Sequence, residues 1–151
     1  AELLENKHTE EAAKLYALHL KDAAGMRCHD HGDVATRFFK AGDTHRGLEI
    51  FEACLKKHGT TAAIAFPFAI DHYSYRGLDS KIEGLLELCW ANRTILAHSC
   101  HPLLRHYLRR IETGKAPAES LVMIKAIMEA ALKADLKLSP KLELKCKELL
   151  S

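Results

Sequence analysis

No stretch of this chain approaches the roughly 18 uninterrupted apolar residues of a membrane span, so no transmembrane helix is expected. Strand-like alternation is missing as well: Ala62 to Phe68 tolerates an extended conformation, but no segment alternates strictly over a useful length. The eight glycines form no GxGxxG or phosphate-loop string, which removes the usual nucleotide cradles. No CxxC pair exists among the cysteines at 28, 54, 89, 100 and 146, and their odd number argues against a disulfide framework. Charge of one sign is not in excess either. Against 22 Lys and Arg stand 20 Asp and Glu, giving a net charge of +2 and a pI of about 8.3. That balance tolerates a polyanionic partner without the strongly basic signature of many nucleic-acid modules.

These absences narrow the chemistry. A catalytic site needs a nucleophile with its base, a phosphate cradle or paired carboxylates at a defined place. The ten histidines are scattered, and no spacing brings a particular pair together. No enzyme activity and no cofactor are expected. Cys28-His29-Asp30-His31 and His98-Ser99-Cys100-His101 carry metal-ligand side chains. Tetrahedral zinc favours separated ligand pairs that let the chain turn between them, and adjacent ligands suit it poorly, so no metal site is expected. Cys54, Cys89 and Cys146 fall inside apolar helical patterns and read as reduced core thiols of a non-oxidising compartment. The chain opens on Ala1-Glu2-Leu3-Leu4 without an initiator Met, which reads as an excerpt or a processed chain, with any targeting segment outside it.

What the chain does have is a period. The turn-like segments Lys40-Ala41-Gly42-Asp43, Tyr75-Arg76-Gly77-Leu78 and Glu112-Thr113-Gly114-Lys115 place glycines 35 and 37 residues apart. Glu5-Asn6-Lys7-His8 sets a fourth turn 36 residues before Gly42. Pro67, Pro102 and Pro140, 35 and 38 residues apart, form a second series near the starts of apolar segments. Pro102 and Pro140 sit where a first helical residue tolerates a missing N–H.

Between these markers the apolar residues keep helical rhythm. Ala12, Leu15, Tyr16 and Leu20 share one face, and so do Leu48, Phe51, Cys54 and Leu55. Ser80 and Glu83 stand in a capping-box arrangement before Leu85, Leu86 and Cys89, and Pro117 precedes Leu121, Ile124, Ile127, Met128 and Ala131. These four segments are the second helices of successive pairs. The first helices run from about Asp33 to Lys40, Phe66 to Tyr75, Pro102 to Glu112 and Pro140 to Leu150. A single pair is too small to bury its own apolar face, so neighbouring pairs must stack. The expected fold is an all-α right-handed α-solenoid of tandem antiparallel helix-turn-helix repeats of about 35 residues, with residues 1–151 forming one domain cut from a longer array.

Phe39-Lys40-Ala41-Gly42-Asp43, the segment Leu48 to Lys56 with its Leu48-x-x-Phe51 pattern, and the closing Lys57-His58-Gly59 resemble the pentatricopeptide repeat family, most closely over residues 39–59. Leu132 to Pro140 looks like that family's joint between repeats. The tetratricopeptide family shares the helical logic, but its Trp, Gly-Tyr and Pro signature is not reproduced in register. The resemblance implies a mitochondrial or other organellar protein that binds single-stranded RNA and affects its stability, processing or translation. It also implies one short helix per repeat facing the strand, so that successive bases each meet two or three side chains. The family's base-reading positions early in the first helix carry Phe68 and, in the repeat of 37 residues, one of Leu104, Arg105 and His106. These depart from the family's small polar residue and give weight to sequence-tolerant RNA binding, or to a protein-protein interaction scaffold that binds no nucleic acid.

The densest basic feature is His101 to Arg110, where Arg105 and Arg109 share a helical face at i, i+4. Arg105, Arg109 and Arg110 are therefore the candidate nucleic-acid-binding residues, through phosphate contacts. A plain solvated helix face is the competing account. Tyr73, Tyr75 and Tyr107 offer rings for base stacking or, more ordinarily, for the inter-helix core. The expected partner is single-stranded RNA or a protein of an organellar assembly, with no membrane.

Overall fold

The computed structural model describes residues 28–151, with side chains from residue 32 onward. Among these residues every regular element is helical and no strand occurs. The helices are α1 (Cys28–Lys40), α2 (Thr44–His58), α3 (Phe66–Tyr75), α4 (Asp79–Ala91), α5 (Arg93–Glu112), α6 (Pro117–Lys133) and α7 (Pro140–Leu150), with a 3-10 turn at Ala63–Ala65 before α3. The expected turn at Asn6, the expected helix through Ala12 and Leu20, and the side chains of the Cys28-His31 cluster lie outside the described residues. No helix among the described residues is long and apolar enough to cross a membrane.

The glycine series is a series of helix stops. Gly42, Gly77 and Gly114 adopt φ of 88, 69 and 74°, the left-handed region that a side chain disfavours. At each, two amides bond back into the helix just ended: Gly77 N–H to Ser74 O at 3.1 Å and Leu78 N–H to Tyr73 O at 2.9 Å, with Gly42/Asp43 and Gly114/Lys115 repeating the pattern. These are Schellman caps, which satisfy carbonyls that a helix end would otherwise orphan. Asp135, φ 55°, closes α6 in the same way, its N–H on Leu132 O and that of Leu136 on Ala131 O.

Two compact units divide the chain, Ala1–Ala69 and Ile70–Ser151. In the first, α1 packs on α2 around Phe38, Phe51 and Cys54, all fully buried. The Phe51 and Phe66 rings meet edge to face at 5.3 Å, and Phe39 stacks on Phe68 at 5.4 Å. The α1 residue Gly32 lies so close to Thr61 and Ala62 that an added Cβ would fall 2.6 Å from the Ala62 amide nitrogen. In the second unit α5 is the central element, packed against α4, α6 and α7. Its Leu103 and Leu104 are fully buried, together with Ile82, Ile124 and Ile127 from its neighbours. Cys54, Cys89 and Cys146 are buried, as their place in apolar patterns implied.

Three local expectations are corrected. Ala62 to Phe68 forms the 3-10 turn and the first turn of α3, not a strand. Helix α5 begins at Arg93, so Pro102 lies in its interior instead of opening it. The Asn92 carboxamide caps the true start, accepting from the amides of Thr94 at 2.9 Å and Ile95 at 3.2 Å. An interior proline costs a helix about 3 kcal/mol. Ile95, Leu96 and Cys100, all buried, return about 1.5–3 kcal/mol per large apolar side chain when α5 extends back through them. Burial wins. The Ser80–Glu83 capping box does not form: Leu78 holds the cap position of α4 without a side-chain bond, and Asp79 is its first residue. A carboxylate in that first turn suits the helix dipole.

Candidate functional site

The expected first helices α3, α5 and α7 are joined by polar contacts at repeat-length separations. From α5 back to α3, Arg105 Nη2 donates to both oxygens of Asp71 at 3.2 and 3.3 Å, 34 residues away. Arg109 Nη1 donates to Ser74 Oγ at 2.6 Å across 35 residues, and its guanidinium carbon lies 4.3 Å from the centre of the Tyr75 ring. From α7 back to α5, the Ser139 amide donates to His101 Nε2 at 2.9 Å, and Lys145 Nζ to Glu112 Oε1 at 2.9 Å. The period legible in the sequence is thus also a spacing of contacts.

Between α5 and α7 runs an open groove of about 360 Å³, lined by His101, Arg105, Leu108, Arg109 and Glu112 on one side and Ser139, Lys141, Leu142 and Lys145 on the other. Four basic side chains face one carboxylate. Glu112 is neutralised by Lys145, whose ammonium, with a smaller contribution from Arg109, holds the carboxyl below its usual range. Arg105 shares its charge with Asp71, both partly exposed. Among the described residues no carboxylate pairs with Arg109 or with the exposed Lys141. Burial, and then the Arg105 charge, keep His101 below the ordinary histidine range, consistent with its Nε2 accepting a hydrogen bond from the Ser139 amide.

The arginine triplet is divided. Arg105 and Arg109 line the groove, whereas Arg110 turns toward the start of α4, with Nη1 on Asp79 Oδ2 at 2.5 Å and only 18% of its side chain exposed. Beside it His106 is buried at 3% exposure, Nδ1 2.8 Å from Ser74 Oγ and Nε2 3.5 Å from Asp79 Oδ1. Ser74 already accepts from Arg109, so its own proton is free for Nδ1, which makes Nε2–H the tautomer facing Asp79. Burial lowers the His106 pKa; Asp79 opposes that, while Arg110 and Arg109 reinforce it.

The three tyrosines also separate. Tyr73 and Tyr107 are buried at 3% and 5%, and burial with the nearby Glu83 pushes the Tyr107 phenol up to about 12. Tyr75 is 76% exposed. His98 is exposed while Cys100 is buried, its thiol raised to about 11 by burial and by Cys89. Among the described residues no three metal-ligating side chains converge. Sequence reasoning did not single out Asp71, Ser74, Lys141 or Lys145. Lys141 and Lys145 share a face at i, i+4 directly after Pro140, the same pattern as the arginine pair, and that signal was available. Nothing local marks Asp71 or Ser74.

Comparison of the chain with protein-family models, with characterised proteins and with solved structures gave no match.

Proposed function

We propose that the chain is a section of an α-solenoid of the pentatricopeptide type, serving organellar RNA metabolism by holding single-stranded RNA and doing no chemistry on it. The observation that carries this reading is the groove between α5 and α7, where Arg105, Arg109, Lys141 and Lys145 face a single, already paired carboxylate. A phosphodiester strand lying there exchanges condensed counterions for these side chains. The repeat-length contacts among α3, α5 and α7 support the solenoid, since helices about one repeat apart touch, as stacked repeats require, and α5 and α7 both bring cations to one groove. The organellar setting rests on the family resemblance.

A labelled single-stranded RNA titrated with the purified chain at several salt concentrations tests the reading. Binding should weaken steeply with salt, and Lys141→Ala should lower the magnitude of the log–log slope by about one unit. Absence of saturable binding at low salt removes the proposal. A second reading has its own support in a larger open groove of about 610 Å³ between α6 and α7, lined by Met128, Leu132, Leu136, Leu138 and Leu150 among others. Leu132 is 81% exposed. A helical-repeat scaffold that docks a protein would use such a surface and need no nucleic acid.

A further inference from the structure

Tyr75 ends α3 with most of its ring in solvent, 76% exposed, although a ring this size more commonly packs into the core as Tyr73 and Tyr107 do. One face is already taken. The Arg109 guanidinium lies 4.3 Å above the ring centre and is fixed by its 2.6 Å bond to Ser74 Oγ, itself a buried residue. The ring is therefore held from one side by a located cation while most of its surface stays in solvent. The same Arg109 lines the basic groove beside Arg105. A stacking surface and phosphate-facing cations thus meet through one side chain. Every base has a π-face, and a cation on the far side of an aromatic ring does not obstruct stacking on the near side.

We propose that the Tyr75–Arg109 pair is a stacking platform for one unpaired base of the bound strand, making the site selective for single strands and tolerant of base identity. This rests on the RNA-binding reading of the groove and adds to it a base contact that cations alone do not supply. It also explains how such a site works without small polar base-reading residues: Phe68 is stacked on Phe39 and Leu104 is buried, so neither reads an edge. In a duplex the base faces are covered by their neighbours, and the platform has nothing to accept.

The test uses the full chain and three probes: a labelled ten-nucleotide single-stranded RNA, a ribose-phosphate strand of the same length without bases, and an RNA duplex. The chain should bind the single strand more tightly than either of the others. Tyr75→Ala should weaken single-strand binding about tenfold, leave the salt slope unchanged and leave the base-free strand unaffected. Tyr75→Trp should restore or exceed the original affinity, which a merely structural tyrosine would not do. Circular dichroism and melting of each variant exclude a folding defect, and Tyr75→Phe, which keeps the ring, should behave as the parent. Equal binding of the single strand by the parent and Tyr75→Ala overturns the platform while leaving the groove reading intact. Equal weakening on both the RNA and the base-free strand also overturns it, since Tyr75 would then act only by placing Arg109. If the unaltered chain binds none of the probes at low salt, the groove reading itself fails, and the platform with it.

Discussion

Arg105 lies across both carboxylate oxygens of Asp71, 34 residues earlier, at 3.2 and 3.3 Å. The pair links α3 to α5, yet 47% of the Arg105 side chain and 38% of that of Asp71 remain in solvent. Exposed ion pairs contribute about 0–1 kcal/mol, so this one fixes direction more than it holds the fold. Asp71→Asn should therefore shift the urea midpoint by less than about 1 kcal/mol in stability. If the groove holds RNA as proposed, Asp71→Asn should also tighten single-stranded RNA binding, because Arg105 would face phosphate with its charge uncompensated. Weaker RNA binding in a normally folded Asp71→Asn would show that Arg105 needs Asp71 to be placed.

Acid should destabilise the chain, and His106 is a principal reason. Burial lowers its pKa in the folded state below the ordinary 6.5, against Asp79 and with Arg110 and Arg109. The unfolded chain thus binds the proton more readily. The contribution is complete above about pH 6.5 and is lost as pH falls through the folded-state value. His72 and His101 are lowered too, by burial first and then by Arg76 and Arg105, and act with the same sign. Denaturation midpoints measured from pH 8 to pH 5 should fall, and His106→Gln should flatten part of that slope. An unchanged slope in His106→Gln would assign it to groups other than His106, His72 and His101 first among the described residues.

Two glycine-to-alanine exchanges should have opposite signs. At Gly84, inside α4, an added Cβ meets nothing within 4 Å, and alanine should stabilise by about 0.5–1 kcal/mol through helix propensity. At Gly32 the same methyl would overlap the side chains of Thr61 and Ala62 and the Ala62 backbone, so Gly32→Ala should destabilise by about 1–3 kcal/mol. Urea titration of both variants checks the contact between α1 and the segment before the 3-10 turn.

Leu103 is fully buried in the helix against which α4, α6 and α7 pack, so Leu103→Ala should cost about 2–5 kcal/mol. Val122→Ala, at a side chain 67% exposed on α6, should change stability by less than about 0.5 kcal/mol. Similar losses at both positions would contradict the burial pattern.

Much of this architecture was legible in the sequence because stops and starts have local chemistry. Phe66–Tyr75 and Pro140–Leu150 fall where proline, glycine and apolar rhythm placed them. Helix α5 begins nine residues before Pro102, which looks like a start when judged alone. What carries the helix past it is the burial of Ile95, Leu96 and Cys100, a tertiary fact. The candidate site divides along the same line. The shared face of Arg105 and Arg109 follows from helical spacing, but the turning of Arg110 to Asp79 depends on where α4 begins. Tyr75, by contrast, stands in the turn-like segment ahead of Gly77, a local sign of exposure that the buried Tyr73 and Tyr107 lack.

The amide of Ser139 ends on the imidazole of His101 instead of on a carbonyl. A carbonyl accepts at any pH, whereas Nε2 accepts only while it carries no proton. The residue that leads into α7 is therefore latched to α5 by a lone pair that acid removes, the more reluctantly because burial and Arg105 hold the His101 pKa down. The same protonation places a new positive charge beside Arg105, so the tether weakens while the groove it lines becomes more cationic. Grip on the neighbouring helix and positive charge in the groove are set in opposition by one proton.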